Sequence, residues 1–266
     1  MSKKIIAVIL VLFSLIPLSF LIVRTFSGIW IYPDLLPKTG SLRSFRFLIK
    51  NNSSLLKTLL SSLFYSLASV FVSFCITVLP ARVLARRNFT NKNLIEILLM
   101  VPLFIPGIIV SLGFYPLFSR IHLTDNYLGV ILVLSFTSFP YMLKPLVTGF
   151  ESYPSELNIS AQMLGAGFFR RLRTVHLPQL FPAILAGSFV VFLASFSEYF
   201  LVYLIGGGVV ESFSGFLIPY LKSSDWGIAS ALSLLFFIIP VVVYTVFEYF
   251  MIKFYKDRGI KPGVNL

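Results

Sequence analysis

Residues 154–182 read PSELNISAQMLGAGFFRRLRTVHLPQLFP. The runs on either side are apolar enough to sit in a bilayer, so this piece is what a water-soluble partner would meet. Pro154-Ser155-Glu156-Leu157 starts a short helix with Ser155 as its N-cap. From Ala161 to Ala166, small residues permit close approach by another surface. Gly165 and Gly167 end or bend the helix. Phe168 and Phe169 then set large apolar groups on the water side, where they suit a hydrophobic slot in a partner. Arg170, Arg171 and Arg173 follow. Val175-His176-Leu177-Pro178 leads into the next apolar run, where the missing N–H of Pro178 costs little. A free connector needs neither the glycines nor the phenylalanines.

The rest of the chain supplies the setting. It is 57% hydrophobic and 12% charged, with 29 Phe in 266 residues; soluble domains carry about 25% charged residues. Successive charge-free runs of membrane length make it an all-α membrane protein, read as one domain over 1–266. Six transmembrane helices are expected, at about 5–23, 58–79, 97–119, 126–143, 179–205 and 227–250, each near the ~20 residues that span a bilayer. The first run exceeds the ~7–15 residues of a signal-peptide core and no small-x-small site follows, so it reads as a retained helix kinked at Pro17. Leu42–Leu60 has the spacing of a helix lying at the interface, with a solvated loop as the alternative. Pro80 and Ala81 close the second span, and Lys144 and Pro145 the fourth. The third span holds Pro102, Pro106, Gly107 and Pro116; mere kinking is the commoner reading of such a pattern, and the alternative is a broken helix of the kind that often lines a transport path. Gly206-Gly207-Gly208 reads as a flexible exit from the fifth span.

With both termini in the cytoplasm, fourteen Lys and Arg fall inside and eight outside, as the positive-inside bias requires. The first loop, with six of those eight, departs from the bias; the other two outside loops hold one each. The segment 150–178 is then cytoplasmic. A net charge of +12 raises nucleic acid as a partner, but the basic residues cluster at span ends, where they act as topology signals and anionic-lipid contacts. No nucleic acid is expected. Cys75, the lone cysteine, excludes an internal disulfide and a cysteine metal cage.

No G-x-x-x-x-G-K-[ST] occurs, so the chain has no phosphate-cradling loop of its own. His122 and His176 fall on opposite sides, and no catalytic or metal set is visible. The chain is therefore read as a non-enzyme. Glu96 and Glu248 sit at span ends as boundary residues. Glu198 lies within the fifth span, where a carboxylate in hydrocarbon costs at least ~2.5 kcal/mol unless it faces a cavity or a partner. Two readings stand open: a polar point on a substrate path, or a residue near the outer interface. With Ser195, Ser197 and Tyr199 beside it, and Pro106 from the third span, it forms the set of substrate-path candidates.

The segment 154–178 resembles the cytoplasmic EAA loop of the membrane subunits of binding-protein-dependent ABC importers (the MetI-like permeases). That pattern is Glu-Ala-Ala, three residues, Gly, nine residues, then Ile-x-Leu-Pro. Gly165 takes the glycine position, and Val175, His176, Leu177 and Pro178 follow at the right distance. Ile159, Ser160 and Ala161 stand where Glu-Ala-Ala would be, so no role of the family's glutamate carries over. LLMVPLFIPGIIVSLGF and FSEYFLVYLIGGG are similar, more loosely, to the third and fifth spans of the polyamine, ferric-iron and thiamine permeases. The resemblance implies a permease subunit without its own cofactor. ATP and Mg would be bound by two partner ATPase subunits. A second permease subunit, the same or homologous, would share the pathway, and an extracytoplasmic binding protein would deliver a polyamine, ferric iron, thiamine or an organic anion. Ala161, Gly165, Ala166, Phe168, Phe169, Leu177 and Pro178 are the expected ATPase-coupling residues. The competing reading is an ATP-independent secondary transporter or channel, which several intramembrane charges and an inverted repeat would favour; neither stands out.

Overall fold

A computed structural model describes residues 3–28, 30, 34, 36–152, 155–223 and 225–256, without the side chains of 3–12, 14, 155, 158, 168 and 172. Among the described residues the regular structure is helical; the only β pairing is an isolated bridge between Ser27 and Gly40. Long runs of Leu, Ile, Val and Phe reach this state because lipid offers the backbone no hydrogen bonds, and a helix satisfies them within one segment.

The helices are α1 (Lys3–Thr25), α2 (Arg43–Lys50), α3 (Asn52–Arg86), α4 (Lys92–Met100), α5 (Gly107–Arg120), α6 (Tyr127–Ser152), α7 (Ser155–Met163), α8 (Phe168–Arg171), α9 (Leu177–Ser197), α10 (Phe200–Gly206), α11 (Phe213–Lys222) and α12 (Trp226–Lys256). A 3₁₀ turn at Val101–Phe104 follows α4, and a π-turn at Leu172–His176 precedes α9. All six expected spans fall on helical segments. Four segments, those of α3, α6, α9 and α12, are long and apolar enough to cross a membrane. The third expected span is a pair of helical arms, Lys92–Phe104 and Gly107–Arg120, with a bend of 96° at the break between them, the form of a broken span or a re-entrant loop. In the first, Leu15–Thr25 of α1 is a shorter apolar stretch.

Three expected boundaries are corrected. Pro80 does not end the helix of the second span, α3, which continues to Arg86, and Lys144 and Pro145 do not end that of the fourth, α6, which continues to Ser152. A proline removes one donor, and a helix held by its neighbours on both sides of that point carries on through it. The fifth span is not continuous to 205: α9 stops at Ser197, Glu198 is extended (φ −72°, ψ 128°), and α10 starts afresh at Phe200. The stretch 42–60 divides into α2 and the start of α3.

The chain divides into two compact units. The first comprises residues 1–61 and 211–241. In it the chain's two tryptophans close on Arg24, whose guanidinium carbon lies 4.6 Å from the Trp30 ring centroid and 5.9 Å from that of Trp226. Arg43 pairs with Asp225, Lys57 with Glu211 at 2.6 Å, and Lys38 with Asp34 at 2.8 Å. Four of the first loop's basic residues thus have local partners, which gives a structural reason for a loop so rich in positive charge.

The second unit, residues 62–210 and 242–266, holds both candidate regions. Within it α3 and α6 are joined by a seam of buried hydroxyls. Ser69 Oγ donates to the Ile131 carbonyl at 3.5 Å, Ser73 Oγ to that of Ser135 at 3.4 Å, and Ser135 Oγ to those of Ile131 and Ser69. Buried Val130, Leu134 and Ile205 fill one end of this core; Met142, Leu146 and Leu180 fill the other.

Candidate functional site

The first region is the segment that leaves α6 and enters α9. Helix α7 ends at a Schellman turn: Gly165 adopts φ +75°, its N–H reaches the Gln162 carbonyl at 3.0 Å, and the Ala166 N–H reaches that of Ala161 at 3.0 Å. A side chain is strained in that backbone region, so glycine is the residue that fits. The turn throws apolar side chains outward: Met163, Leu164 and Phe169 are 83%, 86% and 82% exposed. Arg171 Nη1 donates to Gln162 Oε1 at 3.0 Å and ties α8 back to α7.

The expected coupling residues separate into two groups here. Gly165 and Phe169 are exposed, and Ala161 and Ala166 half-buried. The Phe168 side chain lies outside the described set, as does that of Ser155, the expected N-cap. Leu177 is half-buried and Pro178 buried, and the Pro178 carbonyl accepts the Tyr255 hydroxyl at 2.6 Å. Pro178 anchors the segment to α12, while Gly165 and Phe169 face outward.

The second region forms where two broken spans meet. The α4–α5 span breaks at Ile105-Pro106, and α5 begins at Gly107. The α9–α10 span breaks at Glu198-Tyr199. Glu198 is half-buried, and its Oε1 accepts the Leu201 N–H in the first turn of α10 at 3.3 Å. Gly107 makes this arrangement feasible: a methyl group on its Cα would stand 3.2 Å from Glu198 Oε1 and 3.5 Å from Oε2. The carboxylate rests on the start of α5 because that position lacks a side chain.

Both breaks open onto a cavity of about 130 Å³, well above the ~10–15 Å³ of a one-water void. Its polar lining is Glu198 with Thr137, Ser138 and Tyr141 of α6; Pro102, Gly107 and Leu201 complete the wall near the breaks. Of the five substrate-path candidates only Glu198 lines it. Ser195 is fully buried, and its hydroxyl has no hydrogen-bond partner among the described residues. Ser197 is exposed and donates to the Leu193 carbonyl at 2.8 Å. Tyr199 stacks on Tyr203 with centroids 5.6 Å apart, and Pro106 is an exposed N-cap of α5. The α6 hydroxyls escape sequence reasoning; three hydroxyl residues within five positions of an apolar helix, TSFPY, are the signal that was there to find.

The family of binding-protein-dependent transport system inner membrane components matches residues 74–253, which include both regions. The chain is 30% identical over 162 residues to the molybdate/tungstate transport system permease protein WtpB of Pyrococcus abyssi, covering 60% of this chain and 65% of that one. It is 30% identical over 171 residues to the sulfate transport system permease protein CysT of Salmonella typhimurium, covering 59% and 62%. Each match spans less than two thirds of the relative's own length. In fold, the chain is similar to a bacterial ABC transporter involved in the import of the acidic polysaccharide alginate, with a TM-score of 0.66 and 16% identity over 93% of this chain and 94% of that one.

Proposed function

The chain belongs to the family of binding-protein-dependent transport system inner membrane components, and from that premise we propose that it is the permease subunit of an ABC importer for a small tetrahedral oxyanion. The relatives are named for molybdate, tungstate and sulfate, which turns the substrate reading away from polyamines, ferric iron and thiamine. The observation that carries the reading is the outward-facing turn at Gly165, with Met163, Leu164 and Phe169 around it. Three large apolar side chains left in water next to a rigid turn make a surface for another protein.

In this reading the segment 155–169 faces the cytoplasm and seats in a groove of a separate ATPase that binds ATP and Mg. A second permease subunit, a copy of this chain or a homologue, completes the pathway. Closure of two ATPases draws the two seated segments together, and the anchor at Pro178 and Tyr255 passes that movement to α9 and α12. The equilibrium shifts because ATP binds the closed arrangement better than the open one. The cavity at the two breaks lies on the solute's path. The Ser138 and Tyr141 hydroxyls offer hydrogen bonds to oxyanion oxygens, while Thr137 Oγ1 donates to the Val133 and Leu134 carbonyls and Glu198 stays engaged with the start of α10.

The test is reconstitution of the chain with its ATPase and binding protein in proteoliposomes. Uptake of labelled molybdate or sulfate that stops without ATP is the expected result. Uptake of spermidine or ferric iron in place of oxyanions would overturn the substrate reading, and ATP-independent uptake would overturn the coupling. Gly165→Trp should abolish both uptake and ATPase co-purification while membrane insertion persists; normal transport by that variant would refute the docking role.

A further inference from the structure

Three separate stretches that carry basic residues converge near the start of α9. Arg82 and Arg86 come from the last turns of α3, Arg171 and Arg173 from α8 and the π-turn, and Lys253 and Lys256 from the end of α12. Their elements are held together by packing. Ala81 and Leu84 of α3 share a buried core with Leu180 of α9. Phe181 stacks on Phe254 with centroids 5.0 Å apart, and the Tyr255 hydroxyl bonds to the Pro178 carbonyl. His176, 8% exposed, lies within the reach of the charges of Arg82, Arg171 and Arg86. The carboxylates of the same loop are Glu151 and Glu156.

The outward face of α3 indicates what these charges meet. Ile76, Leu79 and Val83 lie on one stripe and are 48%, 68% and 45% exposed; Arg82 and Arg86 continue that stripe at helical spacing and are also exposed. An apolar stripe that turns basic at its end has the profile of a membrane-facing helix at the headgroup level, acyl chains below and phosphates above. The guanidinium fork matches phosphate oxygens in pairs. A docked ATPase would present no acyl chain to Ile76, Leu79 and Val83.

We propose that Arg82 and Arg86 of α3, with Arg171 of α8 beside them, form a binding site for the phosphate headgroup of an anionic phospholipid whose acyl chains lie along Leu79 and Val83. Such a lipid would tie the end of α3 to the segment entering α9, and so stiffen the link through which the loop moves the spans. The inference rests on membrane placement and not on which solute is carried.

Native mass spectrometry of the full chain, titrated with phosphatidylglycerol or phosphatidylcholine, tests it. The wild-type chain should retain phosphatidylglycerol in preference. The Arg82→Gln/Arg86→Gln variant should lose that preference by roughly thirtyfold, on the scale of one anionic-surface contact per arginine. Arg82→Lys/Arg86→Lys should recover most of it, which also reports that the site is folded. Arg120→Gln, a single basic residue at the end of α5, should change nothing. Unchanged phosphatidylglycerol retention by the double Gln variant would overturn the proposal. So would displacement of the lipid by millimolar inorganic phosphate, which would mark a free-phosphate site. Normal lipid retention together with lost ATPase co-purification would assign the cluster to a protein surface instead, and would also overturn it.

Discussion

The loop around Gly165 and the cavity at Glu198 are built in opposite ways. The loop is one continuous stretch whose form follows from its own residues: a helix, a glycine in the left-handed region, then a second short helix. Its notable side chains face away from the protein. The cavity is made by two breaks far apart in sequence, and its central carboxylate is defined by contacts with Leu201 and Gly107. A surface made locally can be altered without disturbing the core. A site made by juxtaposition cannot, because its functional groups are also its structural ones.

The strongest test of that contrast is Met163→Ala/Leu164→Ala/Phe169→Ala. All three side chains are more than four-fifths exposed, so thermal stability should hold within about 0.5 kcal/mol per site. If they are anchors in an ATPase groove, at about 1–2 kcal/mol each, association should fall by more than a hundredfold and uptake with it. ATPase co-purification and a melting curve on the same sample check both halves. A lowered melting midpoint would show that the loop is not the separable surface described.

Glu198 should behave differently. Glu198→Ala removes the acceptor of the Leu201 N–H, a loss of about 1 kcal/mol, and should lower both the melting midpoint and uptake, the latter roughly tenfold. Glu198→Gln keeps an oxygen acceptor for Leu201 N–H and should restore the midpoint. If it also restores uptake, the residue acts by holding α10. If uptake stays low with the midpoint restored, the negative charge itself matters on the path, and the two open readings of Glu198 are decided in favour of the first.

Gly107→Ala is gentler. The added methyl would meet Glu198 Oε1 at 3.2 Å, so the carboxylate must give by a few tenths of an ångström. Uptake should fall about threefold. Gly113→Ala, on the same helix but with nothing within 4 Å, should leave uptake unchanged and gain up to ~1 kcal/mol in stability from helix propensity. Equal effects of the two substitutions would mean that contact with Glu198 is not what makes Gly107 special.

This contrast also sets what sequence reading reaches. Charge-free runs located the spans because hydrocarbon tolerates little else, and Gly165 was legible because a glycine after a short polar helix has a local meaning. The proline-rich third span read more readily as kinked, and the structure instead breaks its helix at Ile105-Pro106. The break at Glu198 was not legible: no proline marks it, and SFSEYF reads as continuous helix until Gly107 is known to lie against the carboxylate. The persistence of α3 through Pro80 and of α6 through Pro145 was missed on the same ground, since neighbouring helices decide whether a proline ends a membrane span. Helix α11 lay hidden among apolar residues too few to span, and its N-cap, Ser212 Oγ accepting from the Gly215 N–H at 2.9 Å, is a weak sequence signal.

The smallest expected effect concerns a contact that belongs to neither region. Lys144 of α6 pairs with Glu96 of α4, with side chains 59% and 26% exposed. It holds the arm of the broken span that precedes the break. An ion pair this open to solvent contributes about 0.2–1 kcal/mol, so Lys144→Ala should move the melting midpoint only slightly and change uptake by less than twofold. The arm has other holds: Leu99 and Met100 of α4 pack against the core that contains Leu143 and Leu146. If uptake nevertheless fell tenfold at constant stability, the α4 arm would have to move against α6 during transport, with this pair marking one end of its travel. The breaks at 105–107 and 198–199 would then be joints between moving arms, and the cavity would be the space those joints open and close.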